Sequence, residues 1–314
     1  GPADRLALAR WLVDGRHPLT ARVTVNRIWQ HYFGVGFVKT PEDFGSQGEP
    51  PTHPQLPDWL AVEFVKSGWD MKRLHRLIVT SAVYRQSSHV TPALAARDPQ
   101  NVLLARGPRF RLSAFALRDQ ALALSGLLVE QMGGPPVQPY QPDGVWQDFS
   151  LGKIKYEQDH GDKLYRRSLY TFWRRSVGPT MLFDVSDRLV CNVRPRRTNT
   201  PLHALTMLND VTYVEAARKF GERMVTEGGD LPAERLAWGF RLATARHPQA
   251  AELDVLERSL TRARTKFTAD AAAAKALLGV GESPHNERLP PAELAAYATV
   301  AEVIMNLDEV VTKE

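Results

Sequence analysis

Arg194, Arg196 and Arg197 stand directly ahead of Thr198, Asn199, Thr200 and Pro201, an order of residue types suited to holding an anion. Guanidinium forks match the oxygens of carboxylate, sulfate or phosphate. A hydroxyl residue followed by proline opens a helix, whose free N–H groups and dipole favour negative charge. Arg194, Arg196, Arg197, Thr198 and Asn199 are therefore the expected ligand-binding residues, and a phosphate or a sulfated or uronic-acid sugar would suit them. The surrounding stretch 163–197 holds nine Lys/Arg against Asp184 and Asp187, in a chain whose total charge is only +5. Tyr165, Leu169, Phe172 and Trp173 are interleaved with those cations, so part of the stretch packs inward. The competing expectation is that the arginines pair with Glu42, Asp43 and Glu49 and fasten the fold.

Those acids lie in KTPEDFGSQGEPPTHPQLP, residues 39–57, a proline-rich loop long enough to suggest function. Asp43, Glu49 and His53 are its candidates for catalysis. Glycoside hydrolysis needs two carboxylates astride a bond, although acidic pairs more often cap helices or form ion pairs. Asp43-Phe44-Gly45 resembles the kinase metal-binding triplet, but no glycine-rich loop or catalytic-loop partner accompanies it. Cys191 follows Leu189-Val190 and reads as a small buried hydrophobe, with Arg194 near enough to lower a thiol pKa were it a nucleophile. His31, His53, His75 and His160 include no pair at helical ligand spacing, so no metal site is expected. Trp146, Phe149, Tyr156, Tyr165 and Trp173 would make either a sugar-stacking face or core.

The elements that must position these groups are mainly helical. Apolar periodicity predicts helices over 4–13 and 19–33, the second closed by Gly34, and over 57–66. Asp70 is the expected cap of a helix running through 71–87. Residues 87–110 read as loop, 112 to about 130 as one long helix, and 137–162 as irregular. Arg166–Trp173 alternates like a strand. Pro201 begins a helix that pauses at Asn209-Asp210 and resumes through 211–225; further helices span 232–246, 248 to about 278, and 291 to about 311. The expected architecture is mainly α: an irregular multi-helix domain with long ordered loops and a small β element in the central region. It covers 1–314 as one large domain, with a subdivision available into 1–136 and 137–314.

Composition bounds the function. With 43% hydrophobic and 24% charged residues the chain can build a core. A net charge of +5 over 314 residues is too mild, and no motif is present, for nucleic-acid binding to be expected. The single cysteine excludes an internal disulfide framework, and without C-x-x-C-H the chain cannot itself attach a c-type haem. No run approaches the length of a transmembrane helix, and no signal peptide opens the sequence. The abrupt helical start reads as a segment of something longer.

PLTARVTVNRIWQHYFGVGFVKTPEDFGSQGEPPTHPQLPDWLA, GWDMKRLHRLIVTSAVYRQSS, RRSLYTFWRR, VCNVRPRRTNTPLHALTMLND and the terminal NLDEV together resemble a planctomycete-type domain family of unknown function, over about residues 5–313. The resemblance implies an exported, periplasmic or cell-surface setting and a cytochrome c module on the same polypeptide. Haem is expected only in that partner, and no cofactor in this chain. It also implies an association with polysaccharide degradation. Val211 stands where Asn-Asp-Pro is commoner, and His203 where the family often has glutamine. The expected role is a module binding an acidic or sulfated glycan, or docking a haem domain, through the arginine-rich segment. The alternative is a carbohydrate-active enzyme, hydrolytic or haem-coupled, sited between 39–57 and 188–203.

Overall fold

Helix starts in this chain are set by short polar side chains. In the computed structural model Asp4, Asp70, Thr91, Ser113, Asp210 and Asp270 each accept a first-turn backbone N–H of the helix that follows. This satisfies donors that the helix itself cannot. The structure describes residues 3–142, 144–150, 152, 155–172, 184, 192–194 and 197–313. Contacts divide them into two units, the first comprising residues to 110 with 192–194 and 313, the second the remainder from 111 to 312.

The first unit holds α1 (Arg5–Leu12), α2 (Thr20–Phe33), α3 (Gln55–Lys66), α4 (Met71–Val79) and α5 (Pro92–Arg97). Its core is built by Val25, Ile28, Trp29 and Phe33 of α2 with Phe37, Leu60 and Phe64, and with Leu74 and Ile78 of α4. The Trp29 ring stacks on Phe33 with centroids 3.9 Å apart. α2 stops at Gly34, whose φ of 81° is the left-handed conformation that lacks a Cβ penalty only in glycine. Helix α4 ends at Val79, well short of the expected 87. Thr80 and Ser81 there turn their hydroxyls back onto the carbonyls of Arg76 and Ile78. The stretch 87–110 is not all loop, since Thr91 caps α5 with Pro92 in its first turn.

The second unit contains α6 (Ala114–Ser125), α7 (Val145–Ser150), α8 (Pro201–Asn209), α9 (Val211–Glu227), α10 (Pro232–Thr244), α11 (Ala250–Ala269), α12 (Ala271–Leu278), α13 (Pro291–Met305) and α14 (Asp308–Val311). Its core joins Tyr213, Phe220 and Met224 of α9 to Leu294, Tyr297, Val300 and Ile304 of α13, with Leu256, Leu260 and Phe267 of α11 beside them. A Cβ at Gly221 would lie 2.6 Å from the Ala298 nitrogen, so α9 can approach α13 this closely only with glycine there. The helix expected over 248–278 is two, broken where Asp270 caps α12. The one expected over 112–130 ends at Ser125, because Gly126 takes the left-handed cap at φ 76°.

Among the described residues the fold is mainly α, with one two-stranded sheet, β1 (Phe110–Arg111) on β2 (Thr312–Lys313). The strand expected over Arg166–Trp173 is reduced to single-residue bridges, Val129 with Arg166 and Val137 with Thr171, around a 3-10 turn at Ser168–Tyr170. The reason is competition. Arg118 of α6, wholly buried, donates to the carbonyls of Leu164 (2.7 Å) and Arg166 (2.8 Å), and Asp119 accepts the Ser168 N–H at 2.7 Å. The groups a ladder would need are already engaged.

Candidate functional site

The turn into α8 gathers several polar groups of the second unit. Thr200 is extended at φ −116° and ψ 156°, Pro201 opens the helix, and His203 occupies its third position. The His203 Nδ1 accepts the Thr200 N–H at 3.3 Å, while its Nε2 lies 3.4 Å from the Thr198 hydroxyl. A ring that accepts at Nδ1 is neutral, with the proton on Nε2. Burial pushes the His203 pKa below the ordinary histidine value, and the Arg111 charge adds to that.

Thr198 gives both of its donors to one carboxylate. Its N–H meets Asp184 Oδ2 at 2.7 Å and its hydroxyl meets Asp184 Oδ1 at 2.7 Å. Asp184 itself is held at φ 60°, a left-handed conformation in which aspartate is tolerated. Next to this pair, Arg111 donates from Nη1 to Asn199 Oδ1 at 2.6 Å and from Nη2 towards the Met207 sulfur at 3.7 Å. Burial lowers the pKa of Arg111 and also that of half-buried Arg197. The partners of Asn199 and Thr198 are thus Arg111 and Asp184. Neither was among the expected site residues. The useful signal was local: His203 stands at the third position of a Thr-Pro helix start, where a side-chain acceptor completes a capping box.

The other arginines are spent differently. Arg166, 4% exposed, donates to the carbonyls of Gln131 (3.0 Å), Gly133 and Pro135 (3.2 Å), and its guanidinium lies 3.9 Å over the Tyr170 ring. It holds a turn. Arg167 pairs with Glu130 at 3.6 Å. Arg194 pairs with Glu42 at 3.7 Å, both in the first unit and both more than half exposed, which makes the pair a weak fastener. Arg196, Arg174, Arg175, Arg188, Cys191 and Trp173 lie outside the described residues.

In the first unit the 39–57 loop is internally bonded. Asp43 Oδ1 accepts the Gly45 N–H at 2.6 Å, and Thr40 Oγ1 links the Asp43 carbonyl to the Glu49 N–H. His53 Nδ1 faces the Thr52 hydroxyl at 3.1 Å. Glu49, with Arg22, Asn26, Phe44 and Asp58, lines a cavity of about 360 Å³ that Asp43 and His53 do not line. The three catalytic candidates therefore do not converge on one cavity. Arg22 Nε reaches Asp58 Oδ1 at 2.5 Å, which lowers the aspartate pKa and raises that of the arginine.

A sugar-stacking face at Trp146 is not found. The indole is 4% exposed and stacks on Tyr156 at 5.4 Å and Phe172 at 5.9 Å, while the Tyr165 hydroxyl donates to the buried Glu215 at 2.9 Å. Of the four histidines considered for metal, His75 Nδ1 meets the Tyr32 hydroxyl at 2.9 Å and His160 meets Glu282 at 2.6 Å. Among the described residues no group of three or more His, Cys, Asp or Glu is placed to hold a metal ion. Nor is any helix among them long and apolar enough to cross a membrane.

Compared with known families, residues 4–260 match a family described as "Protein of unknown function (DUF1553)", PSD1. No curated protein and no solved structure matches the chain.

Proposed function

The chain belongs to the DUF1553 (PSD1) family of proteins of unknown function, and from that premise we propose that it is a binding module for an acidic or sulfated glycan outside the cytoplasm. One observation carries the reading: Thr198 offers an N–H and an O–H, each at 2.7 Å, to a single carboxylate. Two convergent donors facing one carboxylate, with the Arg111 cation close by and Arg197 next in sequence, are the constituents of an anion subsite. On this reading the Asp184 side chain is the internal occupant of that subsite. A uronate carboxylate or a sulfate ester would take its place on Thr198, and Arg111 and Arg197 would supply the charge attraction. Charged ligands bound this way lose affinity with salt.

The test is titration calorimetry with polygalacturonate and heparin at low and high salt, with dextran as the neutral control. Wild type should bind an anionic polymer in a salt-sensitive manner. Asp184→Ala, which empties the subsite, should bind more tightly, and Thr198→Val combined with Arg197→Ala should bind at least tenfold more weakly. Absence of binding by both wild type and Asp184→Ala would remove the reading.

A further inference from the structure

The cavity of the first unit calls for a ligand of the opposite character. Its walls come from the start of α2, the 39–57 loop and the start of α3, and border an open cleft of about 360 Å³, within the range of small-ligand sites. Pro50, Pro51, Pro54 and Pro57 line it, and proline has no N–H to give.

Most of the donors that reach the lining are already engaged. The Gly45 N–H is on the Asp43 carboxylate, the Gly48 N–H on the Gly45 carbonyl, and the Glu49 N–H on Thr40. Asn26 and Val38 satisfy one another. Arg22 commits Nε to Asp58 and Nη1 to the Pro18 carbonyl at 2.5 Å, and the Asp58 carboxylate balances its charge. One charge is left over. Glu49 is one of the residues that line the cavity, and its carboxylate forms no ion pair among the described residues. An anion would meet a negative cavity short of donors, whereas a cation that brings its own N–H groups would meet acceptors and an uncompensated carboxylate.

We propose that this cavity binds an aliphatic ammonium or guanidinium ligand, its head on Glu49 and its apolar stem along the prolines and Phe44. Long basic side chains have this division between stem and head, and amino sugars carry the same ammonium on a ring. The site is independent of the anion subsite at α8.

The chemistry and its source are separated by binding measurements on the whole chain at low salt. The probes are Nα-acetyl-lysine methylamide, Nα-acetyl-arginine methylamide and glucosamine, with Nα-acetyl-norleucine methylamide and N-acetylglucosamine as neutral matches. At least one cationic probe should bind, and its neutral match should bind tenfold or more weakly. Whether the peptide-like probes or glucosamine bind then identifies a basic side chain or an amino sugar as the source. Glu49→Gln should lose that preference with its melting temperature unchanged, since Glu49 is solvent-exposed; Glu287→Gln, in the other unit, should keep it. Failure of all three cations to bind, equal binding of the neutral matches, or full binding by Glu49→Gln would each overturn the proposal.

Discussion

Asn26 and Val38 exchange two hydrogen bonds: the Val38 N–H donates to Oδ1 at 2.9 Å, and Nδ2 donates to the Val38 carbonyl at 3.1 Å. The amide is 1% exposed and stands in for a neighbouring strand, fixing the backbone at the point where the 39–57 loop leaves α2. Gly36 belongs to the same arrangement, because a Cβ there would fall 2.6 Å from the amide. Asn26→Leu has nearly the same volume but leaves a buried N–H and a buried C=O without partners. It should cost about 2–3 kcal/mol in urea unfolding. A change within about 0.5 kcal/mol would mean that the loop holds itself.

Much of the helical order is legible because its signals are local. Asp70 and Thr200-Pro201 mark helix starts, and Gly34 marks an end, each within one turn of the backbone it satisfies. What escapes local reading is decided by distant partners. The strand pattern from Arg166 is real, but Arg118, nearly fifty residues earlier, takes its carbonyls. Arg118 in sequence looks like an ordinary exposed helix cation, and nothing local marks it as wholly buried. The site divides in the same way. Thr198 and Asn199 could be expected from the helix start, whereas Arg111 joins Asn199 across 88 positions and has no local signature. Composition likewise shows where arginines gather but not that Arg166 is consumed by three carbonyls of a turn.

His203 predicts an acid-sensitive helix start. Its folded pKa lies below the ordinary value of 6.5, chiefly through burial. As pH falls below 6.5 the unfolded chain takes up a proton that the folded chain refuses, so stability present above 6.5 is lost towards the folded pKa. Protonation at Nδ1 would also remove the acceptor for the Thr200 N–H. Glutamine at this position keeps a side-chain acceptor for the capping box and does not titrate. His203→Gln should therefore match wild type in melting temperature at pH 7.5 and exceed it at pH 5. Parallel curves over that interval would show that the imidazole does not titrate in the way its surroundings require.

Glu302 predicts the reverse slope in a window that overlaps the first. It lies on α13, half-buried, and burial alone pushes its pKa up to about 7. No cation pairs with it among the described residues. Here the folded chain holds its proton longer than the unfolded one, whose glutamate ionises near 4.5. Stability is therefore highest below 4.5, falls as pH rises towards 7, and is level above. Glu302→Gln removes the cost of charging this position, so the variant should melt with wild type at pH 4.5 and above it at pH 8. The two groups impose slopes of opposite sign over overlapping windows, and His203→Gln with Glu302→Gln should flatten the melting curve from both sides. If Glu302→Gln instead raises the melting temperature equally at both pH values, its effect lies in packing on α13. The carboxyl would then titrate like an exposed one.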